Sequence, residues 1–207
     1  MNQKEIYERE GFMVTGRKIS TVDASLPSIL ELSKSKLLDS LEALGQPKYR
    51  AEQVWRAIYK EGKTSFDEMT TLSKDLRGIL AKNYSIGNAS TLISKKSADS
   101  STDKILFQLP DGELIETVLM RYEADGHRRG RKTVCVSTQA GCALGCTFCA
   151  TGQQGFRRNL TVGEITEQVL VMERLARTED EGEVNSGKRS RGEIQGVTNV
   201  VFMGMGE

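Results

Sequence analysis

Apolar residues recur every three or four positions through the N-terminal third of the chain, which is the spacing of amphipathic helices. One helix is predicted over 35–44 with Gly45 as its cap, and Pro47 opens a second that ends at Gly62. A third begins near Ser65, and Ser73 caps a fourth. The apolar stripes comprise Leu37, Leu38, Leu41, Leu44, Val54, Trp55, Ile58, Tyr59, Leu76, Ile79 and Leu80.

The middle of the chain changes to the alternation that is typical of strands. Two apolar runs, 105–109 and 114–120, flank Asp111-Gly112, which is a strong signal for a β-hairpin. The polar stretch 85–101 before them is predicted to be a loop or linker.

The last third has the pattern of one βαβ unit. A strand over 133–138 is followed by a helix that Thr161 caps, with Glu164 at the capping-box position, and by a continuously apolar strand over 197–203. The charged segment 177–196 lacks periodicity and is predicted to be a disordered surface insertion. A right-handed crossover would make the two strands parallel, and ligands bind at the carboxyl ends of such strands.

These patterns predict an α/β protein with a small N-terminal helical domain. We expect a mobile lead-in over 1–34, the helical domain over 35–84, a linker and hairpin over 85–131, and an α/β core over 132–207. The apolar run at the end of the sequence suggests a fragment of a longer chain.

Composition restricts the possible partners. With 38% hydrophobic residues and a net charge of +1, the 207 residues fit a globular protein and exclude a globally basic nucleic-acid binder. Any RNA contact would need local basic patches, such as the window 127–132, although a solvated surface charge run is nearly as good an explanation. The other exposed basic candidates, for which charge alone favours a solvated helix face over a phosphate contact, are Lys48, Arg50, Arg56, Lys60, Lys63, Lys74 and Arg77. The sequence has no membrane-spanning run and no secretory signal, so we expect a reducing, cytoplasmic location.

Three thiols, Cys142, Cys146 and Cys149, form a C-x3-C-x2-C array directly after the first strand of the βαβ unit. Three closely spaced thiolates can hold three irons of a [4Fe-4S] cluster and leave the fourth open to a small molecule. Phe148 can shield one face of such a cluster. A zinc site that also uses Cys135, or simple burial of small apolar residues, are the alternatives.

The array with an aromatic residue before the last cysteine resembles the signature of radical S-adenosylmethionine enzymes. The flanking residues 135–142 and 150–160 are similar to the RlmN/Cfr family of adenine-methylating RNA methyltransferases. This resemblance implies a partial (β/α) barrel, truncated here after its second core strand, and a helical domain that positions RNA. It also implies a [4Fe-4S] cluster on the three cysteines and S-adenosylmethionine as cofactors.

Individual roles follow from the same resemblance. Glu116, which alternation places partly buried on one face with Leu114 and Val118, matches the family's proton acceptor, although a solvent-facing edge glutamate is the alternative. Cys135 matches the cysteine that resolves a covalent protein–RNA adduct. Gly206 and Glu207 match the segment that holds the amino group of S-adenosylmethionine, although such a segment can also be a tight turn.

The family methylates C2 or C8 of adenine in rRNA or tRNA through a methyl-carrying cysteine near its C-terminus. No cysteine follows Cys149 here, so we expect that the 207 residues do not complete turnover alone. C2 is favoured, with rRNA and tRNA as substrates, a monomeric enzyme, and an external electron donor such as flavodoxin or ferredoxin. For a eukaryotic source, the alternative location is a plastid or a mitochondrion. The competing hypotheses are a non-catalytic RNA-binding module with a zinc-bound cysteine loop, a C8-specific enzyme, and a glycyl-radical activase.

Overall fold

The computed structural model describes residues 26–125, 129–187 and 196–206, and it divides into two compact units. One unit contains the described residues up to Asn88 together with Thr161–Leu170, and the other contains 89–160 and the residues from Val171 onward. The first is helical and the second is built on a sheet. This arrangement confirms the predicted α/β class with a small helical domain.

The helical unit is formed by short helices around one apolar core. Its helices are α1 (Lys34–Ala43), α2 (Tyr49–Tyr59) and α3 (Lys74–Asn83). Ser33 and Ser73 cap α1 and α3 by accepting backbone hydrogen bonds. Gly45 ends α1 in the left-handed conformation (φ +70°), as predicted. The largest fully buried side chains of this core are Leu30, Leu37, Leu41, Ile58, Met69, Leu76 and Leu80.

Two boundaries of this unit differ from the predictions. The third predicted helix is a single 3-10 turn, Phe66–Glu68, because only Phe66 anchors it in the core. The lead-in predicted over 1–34 is too long, because Ile29–Glu31 forms another 3-10 turn whose Ile29 and Leu30 are buried. Residues 1–25 lie outside the described part of the chain.

The described strands of the sheet unit are β1 (Ser90–Lys96), β2 (Thr102–Gln108), β3 (Leu114–Tyr122), β4 (Arg131–Cys135), β5 (Gln139–Gly141), β6 (Phe156–Asn159) and β7 (Asn199–Val201). They form a five-stranded sheet of order β1-β2-β3-β4-β7 and a two-stranded ladder of β5 with β6. Neighbouring strands are antiparallel except β4 and β7, which are parallel as predicted. Two further helices are α4 (Ala150–Gln153) and α5 (Val162–Asn185).

Three predictions for this unit are wrong. The segment predicted as a polar linker, 85–101, contains the edge strand β1. Its polar composition does not indicate a strand, and its backbone pairing with β2 stabilises it. The insertion predicted over 177–196 is helical as far as Asn185, and 188–195 are not described. The strand predicted as buried over 197–203 is short and lies at the sheet edge, with Phe202 60% and Met203 65% exposed.

The two faces of the sheet have different neighbours. Lys132 of β4 donates to the carbonyl of Ala176 (3.1 Å) and pairs with Asp180 (2.6 Å), both on α5. Arg121 of β3 pairs with Glu179 of the same helix. Alternation along the strands turns Cys135 and Glu116 to the opposite face. The sheet therefore separates the helix-packed core from a second face that carries both predicted catalytic residues.

Candidate functional site

Glu116 and Cys135 are diagonal neighbours on the second face of the sheet. The register pairs Val118 of β3 with Cys135 of β4, and Glu116 lies two residues before Val118. Diagonal neighbours in an antiparallel pair lie roughly 7–8 Å apart, within reach of a common ligand. The same face forms a pocket of about 560 Å³, lined by Val118, Met120, Tyr122, Arg131, Thr133, Cys135, Asn199, Val201 and Met203.

Glu116 is partly buried, as the strand alternation predicted. Its side chain is 26% exposed, and its Oε1 lies 3.1 Å from Nζ of Lys104 on β2. Burial raises the pKa of the Glu116 carboxyl group above its ordinary value. The alternative of a solvent-facing edge glutamate is wrong, because β3 lies between β2 and β4. A half-buried carboxylate of raised pKa is suited to accept a proton, and that role stays a prediction.

Ser137 is a site residue that the sequence analysis missed. Its hydroxyl group donates to the carbonyl of Glu116 (2.7 Å) and accepts from the backbone N–H of Met205 (3.0 Å). The side chain is fully buried. The position of this serine directly after the apolar run of β4 could have indicated a buried hydroxyl group, and a buried hydroxyl group needs hydrogen-bond partners.

The cysteine loop is closed at its base by the ladder of β5 with β6. Gly141 pairs with Phe156, and the N–H of Cys142 donates to the carbonyl of Gly155 (3.2 Å). A Cβ on Gly141 (φ +74°) would lie 1.9 Å from that carbonyl oxygen, so only glycine permits this closure. Arg158 of β6 also pairs with Asp111 of the hairpin turn (2.6 Å), which lowers the pKa of Asp111.

All three thiols of the array lie within this loop, and none of the four cysteines, all of which lie in the described ranges, forms a disulfide bond. Cys142 is buried, and the N–H of Cys149 donates to the carbonyl of Cys146 (3.1 Å). The donor chemistry therefore fits an iron–sulfur cluster. In the described parts of the chain, however, no three Cys, His, Asp or Glu side chains lie close enough together to hold a metal ion. Phe148, predicted to shield a cluster, is 90% exposed.

The predicted cofactor turn lies against the start of the cysteine loop. Thr138 donates through its N–H to the carbonyl of Met205 (2.8 Å) and through its hydroxyl to the carbonyl of Gly206 (2.9 Å). A Cβ on Gly206 (φ +96°) would lie 2.5 Å from Cγ of Gln139, so the two segments touch. Glu207, the predicted partner of the S-adenosylmethionine amino group, lies outside the described residues.

Many of the basic candidates have partners within the chain. Arg50 donates to the carbonyl of Thr71 (3.1 Å) and Arg77 to that of Asp67, so both fasten the segment before α3. Arg131 stacks over the ring of Tyr122 at 4.3 Å. His127 and Arg128 of the basic window lie outside the described residues. The RNA contacts expected of these basic residues therefore stay predictions.

The structure contains no helix, among the described residues, that is long and apolar enough to cross a membrane.

Comparison with known proteins supplies the family. Residues 28–86 match the "Ribosomal RNA large subunit methyltransferase N-terminal domain". The chain is 42% identical over 180 residues to "Dual-specificity RNA methyltransferase RlmN 1" of Myxococcus xanthus. This alignment covers 87% of the present chain and 45% of the relative. It is 38% identical over 195 residues to "Dual-specificity RNA methyltransferase RlmN" of Psychrobacter arcticus, with 93% and 47% covered.

A solved structure agrees with these relatives. It is the crystal structure of a radical SAM methyltransferase from Sphaerobacter thermophilus, with a TM-score of 0.74 and 40% identity over 87% of this chain and 47% of that one. The chain thus spans about half the length of the proteins it matches. The chain belongs to the RlmN family of radical SAM methyltransferases.

Proposed function

We propose that this chain provides the RNA-positioning helical domain and the first part of the catalytic core of a radical SAM enzyme that methylates C2 of a specific adenine. The substrates are large-subunit rRNA and tRNA. The observation that carries the proposal is that one sheet brings together Glu116, Cys135 and, through Ser137, the turn at Met205. The cysteine loop begins directly beside that turn.

Each residue has one role in this proposal. Cys142, Cys146 and Cys149 hold a [4Fe-4S] cluster, and Gly206 and Glu207 hold the amino group of S-adenosylmethionine. When bound, these cofactors supply one-electron cleavage of a carbon–sulfur bond, the chemistry needed to methylate an unreactive ring carbon.

The remaining residues act on the substrate. Glu116 accepts the proton that leaves the methylated ring carbon, and Cys135 resolves the covalent adduct between protein and RNA. The pocket on the same face offers a largely apolar surface beside these two residues. The methyl-carrying cysteine of the mechanism is not among the four cysteines of this sequence, so the 207 residues alone are not expected to produce methyladenine. The enzyme is further proposed to be a cytoplasmic monomer that receives electrons from a flavodoxin or ferredoxin.

Anaerobic reconstitution with iron and sulfide tests the cofactor assignment on the chain as it stands. We expect bound iron and sulfide with a brown absorbance that dithionite bleaches. Each of C142A, C146A and C149A should abolish this absorbance, whereas the matched control C135A should retain it. Stoichiometric zinc in place of iron would instead support the non-catalytic RNA-binding module.

Deletion of the gene that encodes this chain tests the reaction. We expect the loss of 2-methyladenosine from rRNA and tRNA nucleosides, measured by mass spectrometry against authentic standards. Loss of 8-methyladenosine alone would support the C8-specific alternative. RNA with unchanged methylation would reject the proposed activity.

A further inference from the structure

Lys104 and Cys135 belong to one row of residues that crosses the whole sheet. The register pairs Lys95 with Lys104, Lys104 with Val118, Val118 with Cys135, and Cys135 with Val201. All five side chains therefore lie on the pocket face of the sheet. Glu116 is a diagonal neighbour of both Lys104 and Cys135 in this arrangement.

The pair of Lys104 with Glu116 has apolar neighbours on this face. Leu106 is directly opposite Glu116 and packs with Ile93 in a small core, and Val118 and Val201 line the pocket. The Lys104 side chain is 38% exposed and that of Glu116 is 26% exposed. Ion pairs at this level of exposure contribute little to stability, and partial desolvation cancels much of their attraction. Stability of the fold therefore does not explain why charges occupy these two positions.

We propose that Lys104 is a positioning residue that holds the Glu116 carboxylate beside Cys135 in its proton-accepting form. This inference rests on the proposed function, which makes Glu116 the proton acceptor. Lys104 donates to Oε1 (3.1 Å), so a proton taken from the ring carbon is placed on Oε2 while Oε1 continues to accept from the ammonium group. Lys104 neither gains nor loses a proton in this step, and the proton on Glu116 later passes to solvent.

Charge supports the same assignment. Burial raises the pKa of Glu116, which opposes ionisation at neutral pH, and an ammonium group in contact favours ionisation. The other titratable groups on this face, among the described residues near Glu116, are Lys95 on β1 and the thiol of Cys135 on β4. Lys95 is one strand further from Glu116 than Lys104 and is exposed, so its influence is screened by solvent.

The test is an NMR titration of the Glu116 carboxyl carbon in the 207-residue chain labelled with ¹³C-glutamate, with E116Q assigning the resonance. We expect a higher pKa for Glu116 in K104M than in the wild type, and an unchanged pKa in K104R, which keeps the charge. The matched control K95M removes the neighbouring lysine of the same row and should leave the pKa unchanged. If K104M does not fold, K104Q provides the same comparison.

Two results would overturn the inference: a Glu116 pKa in K104M equal to that of the wild type, or an equal rise in K95M. The urea midpoint of K104M should match that of the wild type below pH 4.5, where Glu116 is protonated in both the folded and the unfolded chain. A purely structural role would lower that midpoint without moving the pKa. The titration requires neither cluster nor RNA. Failure of the chain to bind iron would therefore reject the proposed function and leave the result for Lys104 standing.

Discussion

The hydroxyl group of Ser137 donates a hydrogen bond to the backbone carbonyl of Glu116 at 2.7 Å. Because the same oxygen accepts from the N–H of Met205, one buried side chain fixes the strand of the proposed base against the proposed cofactor turn. Because the Ser137 hydroxyl bonds only backbone groups of the two segments, the link does not depend on the side chains at positions 116 and 205.

Replacing Ser137 with alanine should destabilise the sheet unit. S137A leaves the buried N–H of Met205 without this acceptor, and we expect the free energy of unfolding to fall by about 1–3 kcal/mol. Urea denaturation measures this change. S94A, at an exposed position of β1, is the control and should stay within about 0.5 kcal/mol of the wild type. Equal stability of S137A and the wild type would show that the hydroxyl does not join these segments.

Replacing Arg121 with methionine should lower the free energy of unfolding more than S137A does. Arg121 is 12% exposed and pairs with Asp103 and Glu179, so R121M leaves these two carboxylates to the more exposed ammonium group of Lys96, which lies 3.8 Å from Asp103 and 2.8 Å from Glu179. We expect a loss of about 3 kcal/mol in the free energy of unfolding. In the control R158M, which breaks the more exposed pair with Asp111, the loss should stay below about 1 kcal/mol. Similar losses in both variants would contradict the importance of burial.

Two glycines of the cysteine loop allow the effect of a steric clash to be measured apart from the effect of a left-handed backbone conformation. Gly141 and Gly145 both have positive φ, but a Cβ at Gly145 meets nothing within 4 Å, whereas one at Gly141 meets Gly155. We expect G145A to lower the free energy of unfolding by about 1 kcal/mol and G141A to lower it clearly more. G141A should also bind less iron after reconstitution. Thermal unfolding and iron content measure the two effects. Equal behaviour of the two variants would show that the base of the loop is not closed by this contact.

Glu116 should give stability a dependence on pH. Because burial raises its pKa in the folded state, the folded protein keeps this proton at pH values where the unfolded chain has lost it. Its contribution is therefore fully present below the ordinary value of 4.5 and is lost as the pH rises through the folded-state pKa. The free energy of unfolding of the wild type, relative to that of E116Q, should therefore decrease as the pH rises from 4.5 to neutrality. A difference that grows with pH would mean that folding lowers this pKa.

The sequence predicted the parts of the fold that short-range chemistry determines. Asp111-Gly112 predicted the hairpin of β2 and β3, and strand alternation predicted the half-buried position of Glu116. Gly45 predicted the end of α1 because few other residues adopt its conformation.

The features that were missed depend on contacts between distant segments. The strand β1 has the polar composition of a loop, and only its pairing with β2 makes it a strand. The C-terminal part of α5 lacks an apolar stripe, yet Glu179 and Asp180 are held by Arg121 and Lys132. Likewise, the partners of Ser137 lie 21 and 68 positions away, and no local pattern identifies them.

The alternation along β4 has a consequence for how this protein can change. Lys132 contacts the helix α5 while Cys135, an odd number of positions further, lines the pocket. A deletion of one residue between them would leave the two side chains an even number of positions apart and therefore on the same face, so that either the thiol would enter the helix-packed interior or the lysine would enter the pocket. Point substitutions on the pocket face can therefore tune chemistry without repacking the core, whereas insertions and deletions within this strand would damage both at once.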